Sequence, residues 1–264
     1  VASSSDDFFP EDDKTIYASL FNQLKTRQLN LPGEVAIIKI LPYPYNERKF
    51  VVMTPSALYT LDVERRVVSQ LGLGSNDFTF SGNQVYWLDD EGLFSFNPIL
   101  RNRSQITFPE ELRTVEFTRI EVSPSGETIA ILRKNSELII FERATMKTTT
   151  LGKNIDQFIF SPDSKKVAFV SGDRALSVYV IKDGVKKETF VMERILGSWG
   201  KIQKISWHED NNYLFLKDEV NDLYFIEVSD LPPLNTTKAA TGVKNFMYSG
   251  EDNSLYWEDS GGIW

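Results

Sequence analysis

Residues 155–182, IDQFIFSPDSKKVAFVSGDRALSVYVIK, hold three short apolar runs separated by two polar turns. Gln157 to Phe160, Lys166 to Ser171 and Leu176 to Ile181 each have the length and the β-branched and aromatic content of a strand. Ser161-Pro162-Asp163-Ser164 joins the first pair, and Gly172-Asp173-Arg174 joins the second. Serine, aspartate and glycine serve such turns because they bond their own backbone or tolerate positive φ. Three antiparallel strands in 28 residues make a meander.

The same unit recurs on both sides. Taking the middle of each strand that follows a polar turn, Val51, Val85, Ile129, Val167, Leu214 and Leu255 are separated, by subtraction, by 34, 44, 38, 47 and 41 residues. Phe78 to Phe80, Ile120 to Val122, Ile205 to Trp207 and Phe246 to Tyr248 occupy the place of Phe158 to Phe160. A period near 40 with several short strands per unit is the mark of propeller blades. The runs are apolar at nearly every position, as in strands covered on both faces, and no isolated unit could bury both. The expected fold is therefore all-β, a β-propeller of about six four-stranded blades over residues 34–264. The last blade breaks off in its third strand at Trp264.

Residues 1–33 differ. Pro10, the acids Glu11 to Asp13 and the apolar Ile16, Leu20 and Leu24 predict an amphipathic helix. The alternative aligns Phe9-Pro10-Glu11-Asp12 with Phe160-Ser161-Pro162-Asp163 and makes Thr15 to Ser19 a strand; counting that segment as a blade gives seven. The abrupt start and end suggest a piece of a longer chain.

At 264 residues, 41% hydrophobic and 25% charged, the composition is that of a globular protein. No apolar run approaches the ~20 residues of a membrane span, so direct insertion by this segment is not expected. No leader is visible in the polar, acidic first residues. With no cysteine, disulfides, thiolate metal sites and cysteine nucleophiles are excluded. A net charge of −8 argues against nucleic acid as the main partner, which requires clustered positive charge.

Phe160 to Ser171 (FSPDSKKVAFVS) and Val122 to Leu132 (VSPSGETIAIL) resemble the WD-repeat-like blades of TolB-type propellers, whose blades carry an F-S-P-D-G-K-x-I-A-F core. Leu176 to Val180 matches the L-Y-V-Y-type strand that follows. Ser164 replaces the usual glycine in one blade, and Ser125 the aspartate in the other. The resemblance implies an extracytoplasmic or cell-surface setting in a bacterium, with a binding or scaffold role. Val85 to Asp89 and Leu255 to Asp259 also resemble the tyrosine-tryptophan-threonine-aspartate propellers of receptor ectodomains, without their threonine.

Catalysis has little to work with. His208, the one histidine, falls in the turn Trp207-His208-Glu209-Asp210-Asn211 and is expected as a surface-turn residue. No Gly-x-Ser-x-Gly elbow offers a nucleophile. Gly197-Ser198-Trp199-Gly200 has the wrong spacing, and Gly72-Leu73-Gly74 precedes a strand rather than a phosphate-binding helix. Common zinc sites lack ligands. Asp89-Asp90-Glu91 and Asp210-Asn211-Asn212 could supply calcium oxygens but follow no known loop spacing and read as solvated turns. No catalytic residue, cofactor or metal is expected. The enzymatic alternative is a propeller that gates or supports a hydrolase domain encoded elsewhere, as in prolyl oligopeptidase-like proteins.

Sorting the turns is more informative. In a four-stranded meander, the hairpins between second and third strands emerge at one end and those between third and fourth strands at the other. The first group carries Asp89, Asp90, Glu91, Asp173, Asp218, Glu219, Asp222 and Asp259, and Trp199 lies on a connection at the same end. The second carries Arg65, Arg66, Arg101, Arg103, Arg143, Lys147, Lys182, Lys186 and Lys187. The expected binding surface is thus an acidic loop face that steers a protein or peptide, a basic one being favoured.

Overall fold

Twenty-two short strands and one helical turn make up the computed structural model, which describes residues 36–113, 116–172, 175–181, 201–228, 235–250 and 252–264. The predicted helix over 1–33 lies outside them, as do Asp173, Arg174, Lys182, Lys186, Lys187 and Trp199. The chain divides into two units, residues 1–75 and 76–264.

The first unit contains one antiparallel meander, β1 (Lys39–Tyr43), β2 (Asn46–Met53), β3 (Ala57–Asp62) and β4 (Val67–Leu73). Its buried centre is Ile40, Phe50, Val52 and Leu61. Thr54 closes the β2–β3 turn, its Oγ1 accepting the Ala57 N–H at 3.1 Å and donating to the Ala57 carbonyl at 2.9 Å. Gly72 and Leu73 belong to β4.

The second unit repeats that meander. The second sheet is β5 (Phe78–Ser81), β6 (Gln84–Asp89), β7 (Gly92–Asn97) and β8 (Asn102–Ile106). The third is β9 (Phe117–Val122), β10 (Thr128–Arg133), β11 (Leu138–Glu142) and β12 (Lys147–Gly152). The fourth has β13 (Ile155–Phe160), β14 (Lys166–Ser171) and β15 (Ala175–Val180). The fifth is β16 (Ile202–Trp207), β17 (Tyr213–Asp218), β18 (Leu223–Glu227) and β19 (Thr236–Ala240). The sixth has β20 (Asn245–Ser249), β21 (Ser254–Asp259) and the two-residue β22 (Gly262–Ile263).

Alternation within the second strands explains the continuous apolar runs. Ile129 and Ile131 of β10 join Tyr86 and Leu88 of the second sheet in one core. Ala130 and Leu132, pointing the other way, join Phe158 and Phe169 of the fourth. Ala168 and Val170 of β14 then pack with Leu214 and Leu216 of β17, and Phe215 packs with Phe246 of the sixth sheet. Each such strand is apolar on both faces because each face is the wall of a different seam. A fully buried Ile or Leu contributes about 1.5–3 kcal/mol over an exposed one, so the seams hold the second unit together.

Among the described residues, α-helix occurs at one place. Helix α1 (Glu110–Arg113) is a single turn between the second and third sheets, with Glu110 and Glu111 in its first turn. It seats Leu112, 2% exposed, in the seam core beside Phe108. The Leu112 N–H is satisfied by the Pro109 carbonyl at 3.0 Å.

Candidate functional site

The turns between first and second strands touch one another from sheet to sheet. Ser81 Oγ donates to the Ser123 carbonyl at 2.7 Å. Ser164 Oγ accepts the Ser125 N–H at 2.9 Å, and Asn211 Oδ1 accepts the Asp163 N–H at 2.8 Å. A side chain added at Gly250 would meet the Glu209 carboxylate at 3.4 Å. Each of these contacts joins one such turn to the equivalent turn of the next sheet, so the second to sixth sheets place these turns at one end. The hairpins between second and third strands consequently emerge together at the opposite end.

A second set of bonds links the first strands at one register position. Asp77 Oδ2 accepts the Ile120 N–H at 3.0 Å. Arg119 Nη2 donates to the Phe158 carbonyl at 3.4 Å. Gln157 Nε2 donates to the carbonyls of Ile202 at 3.3 Å and Gln203 at 2.8 Å. Lys204 Nζ donates to the Phe246 carbonyl at 2.6 Å and to Asn245 Oδ1 at 2.8 Å. Sequence reasoning missed this belt. Its signal is a polar residue immediately before a buried apolar one in each first strand or at its edge: Asp77-Phe78, Arg119-Ile120, Gln157-Phe158, Lys204-Ile205 and Asn245-Phe246. Glu121 sits two residues from Arg119, their side chains 3.1 Å apart. Burial pushes the Glu121 carboxyl up; the Arg119 cation and the Phe160 N–H partly offset this.

At the acidic end the individual carboxylates separate into two kinds. Asp89 is buried, 8% exposed. Its Oδ1 accepts the Glu91 N–H at 2.9 Å and its Oδ2 accepts Trp87 Nε1 at 3.1 Å. Burial raises its pKa, and the two donated bonds work against that. Asp218, 2% exposed, accepts the N–H groups of Val220 at 3.1 Å and Asp222 at 2.8 Å. These two residues, expected to face a partner, instead close their own hairpins, because a hairpin that buries its first residue must satisfy the inward N–H groups locally.

Asp90, Glu91 and Glu219 are exposed, and among the described residues Asp90 and Glu219 have no cation within 4.0 Å. Glu91 lies 3.9 Å from Arg103. Asp222 is half-buried and bound to Lys238, whose Nζ also sits 5.5 Å over the Tyr224 ring. Tyr224 Oη bridges Asp222 at 3.3 Å and Asp218 at 3.4 Å. Its pKa is raised by burial first and by the two aspartates second. Asp259 accepts the Gly261 N–H at 2.6 Å, and hydrogen bonds from Trp264 and the turn hold its carboxyl below the ordinary range.

The acidic end is interrupted. In the third sheet the corresponding hairpin carries Arg133, 2.5 Å from Glu137, and Lys134, 3.1 Å from Glu116. The opposite end is also less basic than expected. Arg103 lies within β8 and turns back over the rings of Phe94 at 4.0 Å and Trp87 at 5.4 Å. Such stacking on aromatic faces, with Glu91 nearby, outweighs full solvation of a surface guanidinium. Arg65 and Arg48 are engaged by Asp62 at 4.0 Å and Glu64 at 2.9 Å.

His208 occupies its expected turn, but its ring is packed rather than on the surface. It lies 4.9 Å from Tyr248 and 5.8 Å from Phe225, with Nδ1 3.1 Å from Asp210 Oδ1. Asp210 and Asn212 bond within the same turn, Oδ1 to N–H at 2.9 Å. Among the described residues no group of three or more His, Cys, Asp or Glu side chains is placed to hold a metal ion. Among them, too, no helix is long and apolar enough to cross a membrane. Trp87 and Trp207 are buried in sheet cores, with Trp207 Nε1 donating to the Ile159 carbonyl at 3.1 Å, and Trp257 is half-buried in β21.

No protein-family model and no curated protein matches the chain. Solved structures do. A chain of the mitotic checkpoint complex is 12% identical with a TM-score of 0.59, covering 89% of this chain and 75% of that one. The β-propeller domain of Cps50 (Swd1) from Myceliophteria thermophila is 9% identical with a TM-score of 0.52, covering 83% and 80%. A Bacteroides uniformis protein proposed to be a 6-phosphogluconolactonase is 13% identical with a TM-score of 0.51, covering 84% and 77%. At these identities the likeness concerns fold, and it does not single out the TolB type among propellers. Repeated antiparallel meanders, seams between successive sheets and these neighbours together make the fold class a β-propeller.

Proposed function

We propose that this chain is a non-catalytic propeller that binds a protein partner through the exposed acids at one end of its sheets. The observation that carries the proposal is the division of labour within single hairpins. In Asp89-Asp90-Glu91 the first acid is consumed in closing the turn, while Asp90 stands exposed with no cation near it. The hairpin from Asp218 to Asp222 repeats this with Glu219. An exposed, unpaired carboxylate costs nothing in folding and remains available to steer a basic surface. The partner class is therefore a basic protein segment met by Asp90, Glu91 and Glu219.

The test is affinity capture with the protein and with a variant in which Asp90, Glu91 and Glu219 are replaced by lysine. Loss of specific partners in the variant, with an unchanged circular dichroism spectrum, supports the proposal. An unchanged partner set contradicts it. The rival, an enzyme of the kind proposed for the Bacteroides neighbour, has its support in that one likeness and would show turnover of a sugar lactone.

A further inference from the structure

A cleft of about 880 Å³ opens between the second and third sheets, running from the turns at the end opposite the acidic hairpins along β8 to Thr107. Its floor is the face of the second sheet that looks toward the third, where Tyr86, Ser95 and Ser104 lie side by side on β6, β7 and β8. Its wall is Ser125 to Glu127 and Arg143 to Met146, from two turns of the third sheet.

The cleft has an identifiable origin in the sequence. In the third, fourth and fifth sheets the position equivalent to Ser95 is Ile140, Val178 and Phe225, paired with Ala130, Ala168 and Phe215 as Ser95 is with Tyr86. Those three large side chains pack into the following seam. A serine there leaves the volume unfilled. The Ser95 residue is 9% exposed, yet its hydroxyl has no hydrogen-bond partner among the described residues. A hydroxyl that lines an open space and has no partner within the described protein is a group that a ligand can satisfy.

The charges around this floor narrow the ligand. Arg143 is half-buried, and Nη1 donates to the Gly126 carbonyl at 2.7 Å. Among the described residues no carboxylate lies within 4.0 Å of it, so a planar guanidinium with unused donors faces a floor of hydroxyls. Guanidinium donors match a carboxylate in a bidentate fork. Glu127 stands exposed on the wall, with no cationic nitrogen within 4.0 Å of its carboxylate among the described residues, and disfavours a doubly charged anion such as a phosphate. Gly126, at φ +77, keeps the passage open, since a Cβ there would approach Tyr86 Oη to 3.3 Å.

We propose that this cleft is a binding subsite for a single carboxylate, held by Arg143 and by the hydroxyls of Ser95 and Ser104. The volume exceeds that of one side chain and falls in the range of small-ligand sites, roughly 300–1,000 Å³. The carboxylate is supplied either by an acidic residue of a peptide or by a free small acid. The subsite is independent of the acidic loop end, and neither needs the other.

The experiment is titration of the protein with N-acetyl-glutamate α-amide, its neutral glutamine twin, and a blocked peptide with one central glutamate, followed at the backbone amides around residues 95, 104 and 126. The charged probes are expected to shift these amides saturably, and the neutral twin to leave them in place. Ser95→Val installs a side chain that the fourth sheet already carries at this position, so it folds; it and Arg143→Gln should each weaken binding about tenfold or more. Glu127→Gln should tighten it. Tighter binding of the peptide than of the free acid identifies a peptide segment as the source, and equal binding a small acid. Equal shifts with the neutral twin, no saturable shift at all, or unchanged affinity in both S95V and R143Q would overturn the assignment.

Discussion

Asn211 in the β16–β17 turn accepts the backbone N–H of Asp163 in the β13–β14 turn, Oδ1 to N at 2.8 Å. Asn211 has φ +65, and Ser164 and Gly126 occupy the equivalent place in their own turns at φ +65 and +77. One position therefore has two duties, a left-handed backbone and a bond across the seam.

Asn211→Gly keeps the backbone and loses the bond, for an expected cost of about 0.5–1.5 kcal/mol. Asn211→Ala loses the same bond and, unlike glycine, keeps a Cβ in the left-handed region without the polar side chain that makes asparagine tolerant of it, so it should be the less stable of the two variants by up to about 1 kcal/mol. Urea midpoints with unchanged m-values would order the proteins as wild type, glycine, alanine. For Ser164→Gly the relief of strain and the lost bond to the Ser125 N–H are of similar size, so its midpoint should barely move.

Ile131 is 1% exposed in the seam between the second and third sheets, whereas Ile99 is 71% exposed on a turn. Ile131→Ala should cost about 2–5 kcal/mol by thermal or urea unfolding. Ile99→Ala should stay within about 0.5 kcal/mol.

Asp89 and Asp90 are neighbours with opposite roles. Asp89→Ala leaves the buried Trp87 Nε1 without its acceptor, with an expected loss of about 1–3 kcal/mol in stability. Asp90→Ala should leave stability unchanged within about 0.5 kcal/mol and weaken partner binding. Paired unfolding and binding measurements on the two variants separate the roles.

Glu121 gives a pH signature. Its native carboxyl is raised above the ordinary value of about 4.3, so the folded protein holds that proton more tightly than the unfolded chain. The resulting stability is fully present below the unfolded value and is lost as pH rises through the native one. Glu121→Gln removes the titration, so the stability of the variant relative to wild type should climb across that interval. Parallel stability curves for the two proteins would contradict it.

The fold was legible because both-face burial writes itself into consecutive residues: Val167-Ala168-Phe169-Val170 serves two seams, and no surface strand could be so apolar. The turn motif was legible as well, since Ser161 Oγ accepts the Lys166 N–H at 2.9 Å and donates to Asp163 Oδ1 at 2.6 Å. The site was much less so. Asp89 and Asp90 are identical side chains in one hairpin, and what separates them is the indole of Trp87 across the strand pleat. Arg103 reads as a solvated turn cation until the faces of Phe94 and Trp87 are known to lie beneath it. Ser95 is an ordinary polar residue in sequence; its meaning comes from what packs at the same position in three other sheets. Function here depends on three-dimensional neighbours, which periodicity does not encode.

The most direct measurement is the affinity of a captured partner for the protein and for the variant with Asp90, Glu91 and Glu219 changed to lysine, at about 50 and about 500 mM salt. The account predicts that wild-type affinity falls steeply over that interval, chiefly through a slower association rate, and that the variant binds weakly at both. Equal affinities for the two proteins, with no salt dependence in either, would contradict it.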